Sequence, residues 1–138
     1  NRIFICKGVQ LMKAYLINAK DELIVEVDCK DYHHKLELLN CRMLEATPIG
    51  RNNDMWIDEE GNLKESNYFF SYTDIDEDND YSNLFSGNGI ILGLDWDSGD
   101  CVEPYQLTLE QVKSKVTFMG KRYIDHDKLF SNFKVEEW

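Results

Sequence analysis

Between Leu84 and Trp96 the chain reads Leu84-Phe85-Ser86-Gly87-Asn88-Gly89-Ile90-Ile91-Leu92-Gly93-Leu94-Asp95-Trp96, and with glycine counted as apolar this holds its longest unbroken apolar run, Gly89 to Leu94. A strand with one wet face alternates polar and apolar residues, and Ile90 to Leu94 does not. The segment is therefore predicted to be a central strand buried on both faces. Gly87 and Gly89 mark its entry turn, and Gly93 marks a point of close packing. A phosphate cradle at Gly87-Asn88-Gly89 is ruled out, because no Lys or Arg follows and a strand comes next instead of a helix N-terminus.

With 138 residues, 43% of them hydrophobic and 12% aromatic, the chain suits one domain with a sizeable core. The formal net charge is −11. A diffuse basic surface for nucleic acid is excluded, and anionic membranes are unsuited for the same reason. The charge is uneven: from Asn52 to Glu103 there are fourteen acids and the single base Lys64, a balance of −13, which leaves +2 for the rest. Cys6, Cys29, Cys41 and Cys101 form no C-x-x-C pair. They are expected to be reduced thiols in a cytoplasmic protein. No apolar stretch approaches the ~20 residues of a membrane span.

Residues 1–11 lack amphipathic period and turn logic, and Met12 opens a clean strand. Met12 is thus expected to be the natural start, with 1–11 an upstream leader; Lys7-Gly8-Val9 is encodable as a ribosome-binding sequence. Residues 12–119 are expected to form one domain and 120–138 a tail with a weak helix from Asp125 to Phe133.

Lys13–Ile17 and Glu22–Asp28 are predicted strands joined by Asn18-Ala19-Lys20-Asp21, a hairpin that buries Leu23, Val25 and Val27. Asp31 is the expected N-cap of a helix from Tyr32 to about Asn40, with Tyr32, Leu36 and Leu39 on its apolar stripe. Further strands are expected at Arg42–Thr47, at Asp54–Asp58 and from Leu63 towards Tyr72, with Gly61 free to take positive φ in the turn between the last two. Thr73–Ser82 is predicted as an acidic loop, with one helical turn near Tyr81 to Phe85. Asp97-Ser98-Gly99-Asp100 turns the central strand into Cys101–Glu103. Thr108 and Gln111 then form a capping box for a helix from Leu109 to Met119, with Leu107 and Val112 as its staple and Gly120 as its C-cap.

Three stretches in this order, Asp54-Met55-Trp56-Ile57-Asp58-Glu59-Glu60-Gly61-Asn62-Leu63, Ser86-Gly87-Asn88-Gly89-Ile90-Ile91-Leu92-Gly93 and Leu107-Thr108-Leu109-Glu110-Gln111, resemble a small domain of unknown function found in bacterial phages, plasmids and conjugative elements. Met43-Leu44-Glu45 adds to the resemblance, which covers roughly Met12 to Met119. It implies a bacterial, intracellular, mobile-element context and assigns no catalytic residue. The acidic insert from Thr73 to Asp80 and the tail after Gly120 depart from it.

Asp74, Asp76, Asp78 and Asp80 alternate with Ile75, Glu77 and Asn79, which suggests a calcium loop. An EF-hand frame opened at Asp74 puts Asn79 where Gly belongs and Phe85 where Glu belongs, so a solvated acidic loop is the simpler account. Alternating carboxylates in extended chain lie about 6–7 Å apart on one side, which approaches the charge spacing of a nucleic-acid strand. Mimicry of DNA towards a basic protein follows as a sharper reading. Asp95, Asp97 and Asp100 form a second carboxylate loop that an Asp-rich turn explains. Cys29, His33, His34 and Cys41 match no zinc module. His126, beside Asp125 and Asp127, suits a surface position near a helix start. No nucleophile elbow, P-loop or dinucleotide fingerprint occurs.

The expected fold class is α+β, a twisted, mostly antiparallel sheet with two main helices packed on it. The expected function is that of a mobile-element accessory protein that binds a host or element-encoded protein, a basic nucleic-acid-binding one in the mimicry case. The expected binding surface is Asp74, Asp76, Asp78, Asp80, Asp95, Asp97 and Asp100. Neither catalysis, cofactor, metal, direct nucleic acid nor membrane enters this reading. A calcium-binding regulatory module and a small enzyme are the alternatives.

Overall fold

The structure, a computed structural model, describes residues 11–50, 52–77 and 80–126. In chain order its elements are β1 (Met12–Asn18), β2 (Leu23–Cys29), α1 (Tyr32–Leu39), β3 (Leu44–Pro48), β4 (Asn53–Asp58) and a 3-10 turn at Gly61–Leu63. Then come β5 (Ser66–Ile75), β6 (Asp80–Ser86), β7 (Gly89–Leu94), β8 (Cys101–Val102), α2 (Leu109–Lys115) and β9 (Val116–Tyr123). Every pairing is antiparallel.

The strands make two sheets. The larger runs β2-β1-β7-β4-β3, and the smaller runs β6-β5-β9. As predicted, β7 is central and doubly buried. β4 covers one edge from Gly89 to Gly93. β1 covers the other edge from Gly89 to Ile91, and β8 continues along it at Gly93 and Leu94. Ile90, Ile91 and Leu92 are fully buried. At about 1.5–3 kcal/mol per large side chain removed from water, these three anchor the fold.

The pleat sends their side chains to opposite faces, and each face carries a layer. Ile91, Tyr15, Ile17 and Met55 meet Phe70, Tyr72 and Phe85 of the smaller sheet and Val112 of α2. Phe70 and Phe85 stack with centroids 5.2 Å apart. On the other face Ala14, Ile90 and Leu92 pack with Leu39 of α1 and with Cys29. Antiparallel strands and two helices bear out the α+β class at that level, among the described residues.

Several details differ from the expectation. There are two sheets, because β5 pairs with β6 and β9 and not with β4. α2 keeps the predicted capping box, with both reciprocal bonds present, but stops at Lys115. Val116, Thr117 and Phe118 then extend into β9, where β-branched and aromatic residues gain a packed, paired surface. β9 crosses the expected domain boundary at Met119, and Gly120 (φ 77°) sits at a bulge where the β5–β9 register shifts, not at a helix end. Residues 81–85 lie in β6, not in a helical turn.

On α1, Asp31 caps as expected, but Tyr32 is exposed and Lys35 is buried. Leu23 and Val25 are exposed, while Ile24 is buried beside Ile17. The eight-residue α1, about 12 Å long, is too short to cover that corner. Gly61 does not have positive φ; a Cβ there would lie 2.8 Å from the Ser86 carbonyl oxygen, so close packing is its reason. Residues 1–10 of the expected leader, Asp127 and most of the expected tail helix fall outside the described residues.

A Cβ on Gly93 would overlap the backbone carbonyl of Glu103, which has no flexible end to move. Gly93→Ala is expected to cost about 1–3 kcal/mol, the range of overpacked cores. Urea denaturation checks this: the midpoint falls with the slope unchanged.

Candidate functional site

The two sheets separate at the end of the molecule where β5 runs out, and a cavity of about 370 Å³ opens there. That is within the size range of small-ligand sites. Its walls come from the β3–β4 turn (Ile49, Gly50, Asn52, Asn53), from Tyr72, Asp74 and Asp76, from Tyr105–Leu107 and from Gln111 and Lys115 of α2. Asp74 stands near the end of β5 and Asp76 just beyond it, and both line the cavity. Lys115 Nζ lies 3.4 Å from Asp74 Oδ1, and both side chains are mostly buried. Burial pushes the Tyr72 hydroxyl well above its ordinary range, and the charge of Asp74 adds to this. Tyr72 therefore stays protonated at neutral pH.

A groove of about 400 Å³ adjoins the cavity across Asn52 and Tyr105, which line both. It adds Leu94, Asp95, Trp96, Asp97 and Val102. Trp96 is 71% exposed and Tyr105 50% exposed. Two successive asparagines hold these two residues, one by its ring and the other by its main chain. Trp96 Nε1 donates to Asn52 Oδ1 at 2.9 Å. Asn53 grips the Tyr105 main chain twice: Oδ1 accepts from the Tyr105 amide at 2.7 Å and Nδ2 donates to its carbonyl at 2.9 Å. Sequence reasoning missed both asparagines, because an Asn pair shortly after Pro48 and Gly50 carries only a turn signal.

Of the seven acids expected to form a surface, the fold gathers four. Asp74 and Asp76 line the cavity, and Asp95 and Asp97 line the groove. Asp80 opposes Ile75 in the ladder, so it shares the outer face of β5–β6 with that residue, away from Asp74. Asp100 borders a different depression, with Leu11 and Met12. Asp78 lies outside the described residues. Asp95 also acts within its turn, where Oδ1 accepts from the Asp97 amide at 3.0 Å. Among the described residues no group of three or more His, Cys, Asp or Glu side chains is placed to hold a metal ion. His126 accepts from or donates to nothing in the cavity; its Nε2 lies 3.1 Å from the Asn62 carbonyl oxygen.

A second polar cluster sits under α1. Lys35 is only 4% exposed. Its Nζ lies 4.0 Å from the centroid of the Trp56 ring and donates to Cys101 Sγ at 3.2 Å. Trp56 Nε1 is buried without a hydrogen-bond partner. Cys29 is buried in the same cluster, where desolvation pushes its thiol up against the opposing charge of Lys35. Asp54 is affected likewise: burial raises its carboxyl, and the Lys35 charge opposes the shift.

Models of known protein families, curated proteins and solved structures give no match to this chain. Among the described residues no helix is long and apolar enough to cross a membrane.

Two outcomes are expected. Asn53→Ala removes both bonds to the Tyr105 main chain and is expected to cost about 1–3 kcal/mol, with faster amide exchange at Tyr105. Asp54 holds its proton to higher pH in the folded chain than in the unfolded one, where carboxylates titrate near ~3.9. Its contribution to stability therefore falls as pH rises from that value through the folded pKa. Asp54→Asn removes this slope, so its stability relative to the parent rises across that window, as denaturation at stepped pH would record.

Proposed function

We propose that this protein is a binding module without catalytic activity, which takes a basic protein segment on the end of the molecule where Asp74, Asp76, Asp95 and Asp97 gather. The observation that carries the reading is the pair of depressions joined at Asn52 and Tyr105, which brings acids from two separate stretches of sequence onto one face around the exposed rings of Trp96 and Tyr105, the first held by its indole nitrogen and the second by its main chain. Carboxylates attract Arg and Lys, and the faces of Trp and Tyr take the same cations at close range. Rigid aromatics are also the side chains on which interface energy concentrates.

Binding is favoured over catalysis by the state of the polar groups in the cavity. Asp74 already has Lys115 as its counter-charge, and Tyr72 holds its proton. A discrete basic segment is favoured over imitation of a continuous phosphate row, because Asp80 stands on the other face. The mobile-element context belongs to this proposal on the sequence resemblance alone.

Fluorescence anisotropy with a labelled arginine-rich peptide tests the reading. Asp74→Asn, Asp76→Asn, Asp95→Asn and Asp97→Asn combined are expected to weaken binding at least tenfold. Amide substitution of the exposed Asp21, Glu22, Glu26 and Asp28 makes the same charge change elsewhere and is expected to have a much smaller effect. Trp96→Ala alone is expected to weaken binding several-fold, and affinity is expected to fall with added salt. Equal losses in the two charge sets would mean that only net charge is read, and the proposed face would be abandoned.

A further inference from the structure

The cluster under α1 contains an arrangement that the binding face does not use. Lys35 Nζ and Cys101 Sγ are 3.2 Å apart, although sixty-six residues separate them in sequence. The amine is held there by its position over the Trp56 ring and by burial. Its aliphatic stem runs from α1 towards the strand, so the contact bridges the helical layer and β8. Cys101 is partly exposed, whereas Cys29 in the same cluster is fully buried. A water-borne oxidant therefore reaches Cys101 first, since thiol oxidation follows access.

We propose that Lys35 and Cys101 form an oxidant-driven, thiol-reversible cross-link. Hydrogen peroxide oxidises the Cys101 thiol to a sulfenic acid; its O–O bond breaks, one oxygen stays on sulfur and the other leaves as water. The Lys35 nitrogen, after giving up its extra proton, attacks the sulfur. An S–N bond forms, the S–O bond breaks, and the hydroxyl leaves as water with a proton from the nitrogen. One peroxide is consumed and two waters are released for each bond, sulfur loses two electrons, and the product is a sulfenamide. Condensation of a sulfenic acid with a nearby nitrogen is established thiol chemistry. An added dithiol reverses it: one thiol attacks the sulfur, the amine is released, and the second thiol frees Cys101 as it closes the reductant's disulfide.

The bond would tie α1 to β8, the strand that follows the Asp95–Asp100 turn. It would restrain the hairpin that carries Trp96, Asp95 and Asp97, so the oxidation state of this pair would set the mobility of that side of the groove.

The test uses the full, reduced chain treated with hydrogen peroxide, blocked with an alkylating agent and mapped by tryptic mass spectrometry. The expected product is a peptide pair joined through Lys35 and Cys101, lighter than the sum by two hydrogens, uncut by trypsin after Lys35 and separated by dithiothreitol. Lys35→Arg and Cys101→Ser are each expected to abolish it, while Cys29→Ser keeps it. Recovery of Cys101 as a disulfide with Cys29, as a higher oxide or as unreacted thiol, with Lys35 cleaved normally, would overturn the proposal. Circular dichroism confirms that each variant is folded. If Lys35→Arg does not fold, the peptide map of the parent chain decides the question alone.

Discussion

Everything in this molecule is placed relative to one strand that is buried from Gly89 to Gly93. β7 is paired on both edges and covered on both faces, and its six residues include two glycines. Those glycines permit the covering. A Cβ on Gly89 would stand 2.7 Å from Met55 Sδ, and one on Gly93 would strike the backbone after β8. Because the strand is bare at these points, β4 and β8 carry their side chains and backbone close against it. The same closeness brings the β7–β8 hairpin beside the β3–β4 turn, where Leu94 donates its amide to the Asn52 carbonyl at 2.9 Å. The proposed binding face is built on that junction.

The two faces of β7 have different characters. The Ile91 side is an apolar interior closed by the smaller sheet and α2, with aromatic rings filling the gap. The Ile90 and Leu92 side is thinner, covered by one short helix, and it admits Lys35 and the thiols. A lysine is buried only when its charge or its lone pair has partners. Here the partners are an aromatic face, a sulfur and the nearby Asp54. The polar chemistry inside the fold therefore lies under the weaker layer, and the acidic chemistry outside lies where the two sheets part.

Much of the architecture was legible from local signals. The doubly buried strand, the first hairpin, the Asp31 cap, the Thr108–Gln111 capping box and the turn at Asp97–Asp100 all depend on residues close in sequence, and all are present. The errors share one cause. Val116 to Met119 fits a helical stripe and a strand equally well, and the vacant edge of β5 decides for the strand. Tyr32 suits the apolar stripe of α1, yet Lys35 takes the inward position because Trp56 and Cys101 wait for it across the layer. Leu23 and Val25 look like core in an alternating strand, but the layer above them ends too soon.

The sequence by itself determined that the chain would be acidic in its middle, rich enough in apolar residues to fold, and organised around Gly89–Leu94. It also marked the carboxylates that any cationic partner would meet. Only the tertiary structure decided which of them act together. Strand pairing put Asp80 on the face away from Asp74, and the packing of one hairpin beside another put Asp95 and Asp97 next to the Asp74 cavity. It likewise brought Lys35 to Cys101. Helical and strand periods and caps are set within a few residues, so a sequence displays them. Juxtaposition across layers is set by which surfaces must leave water together, and no local pattern records that.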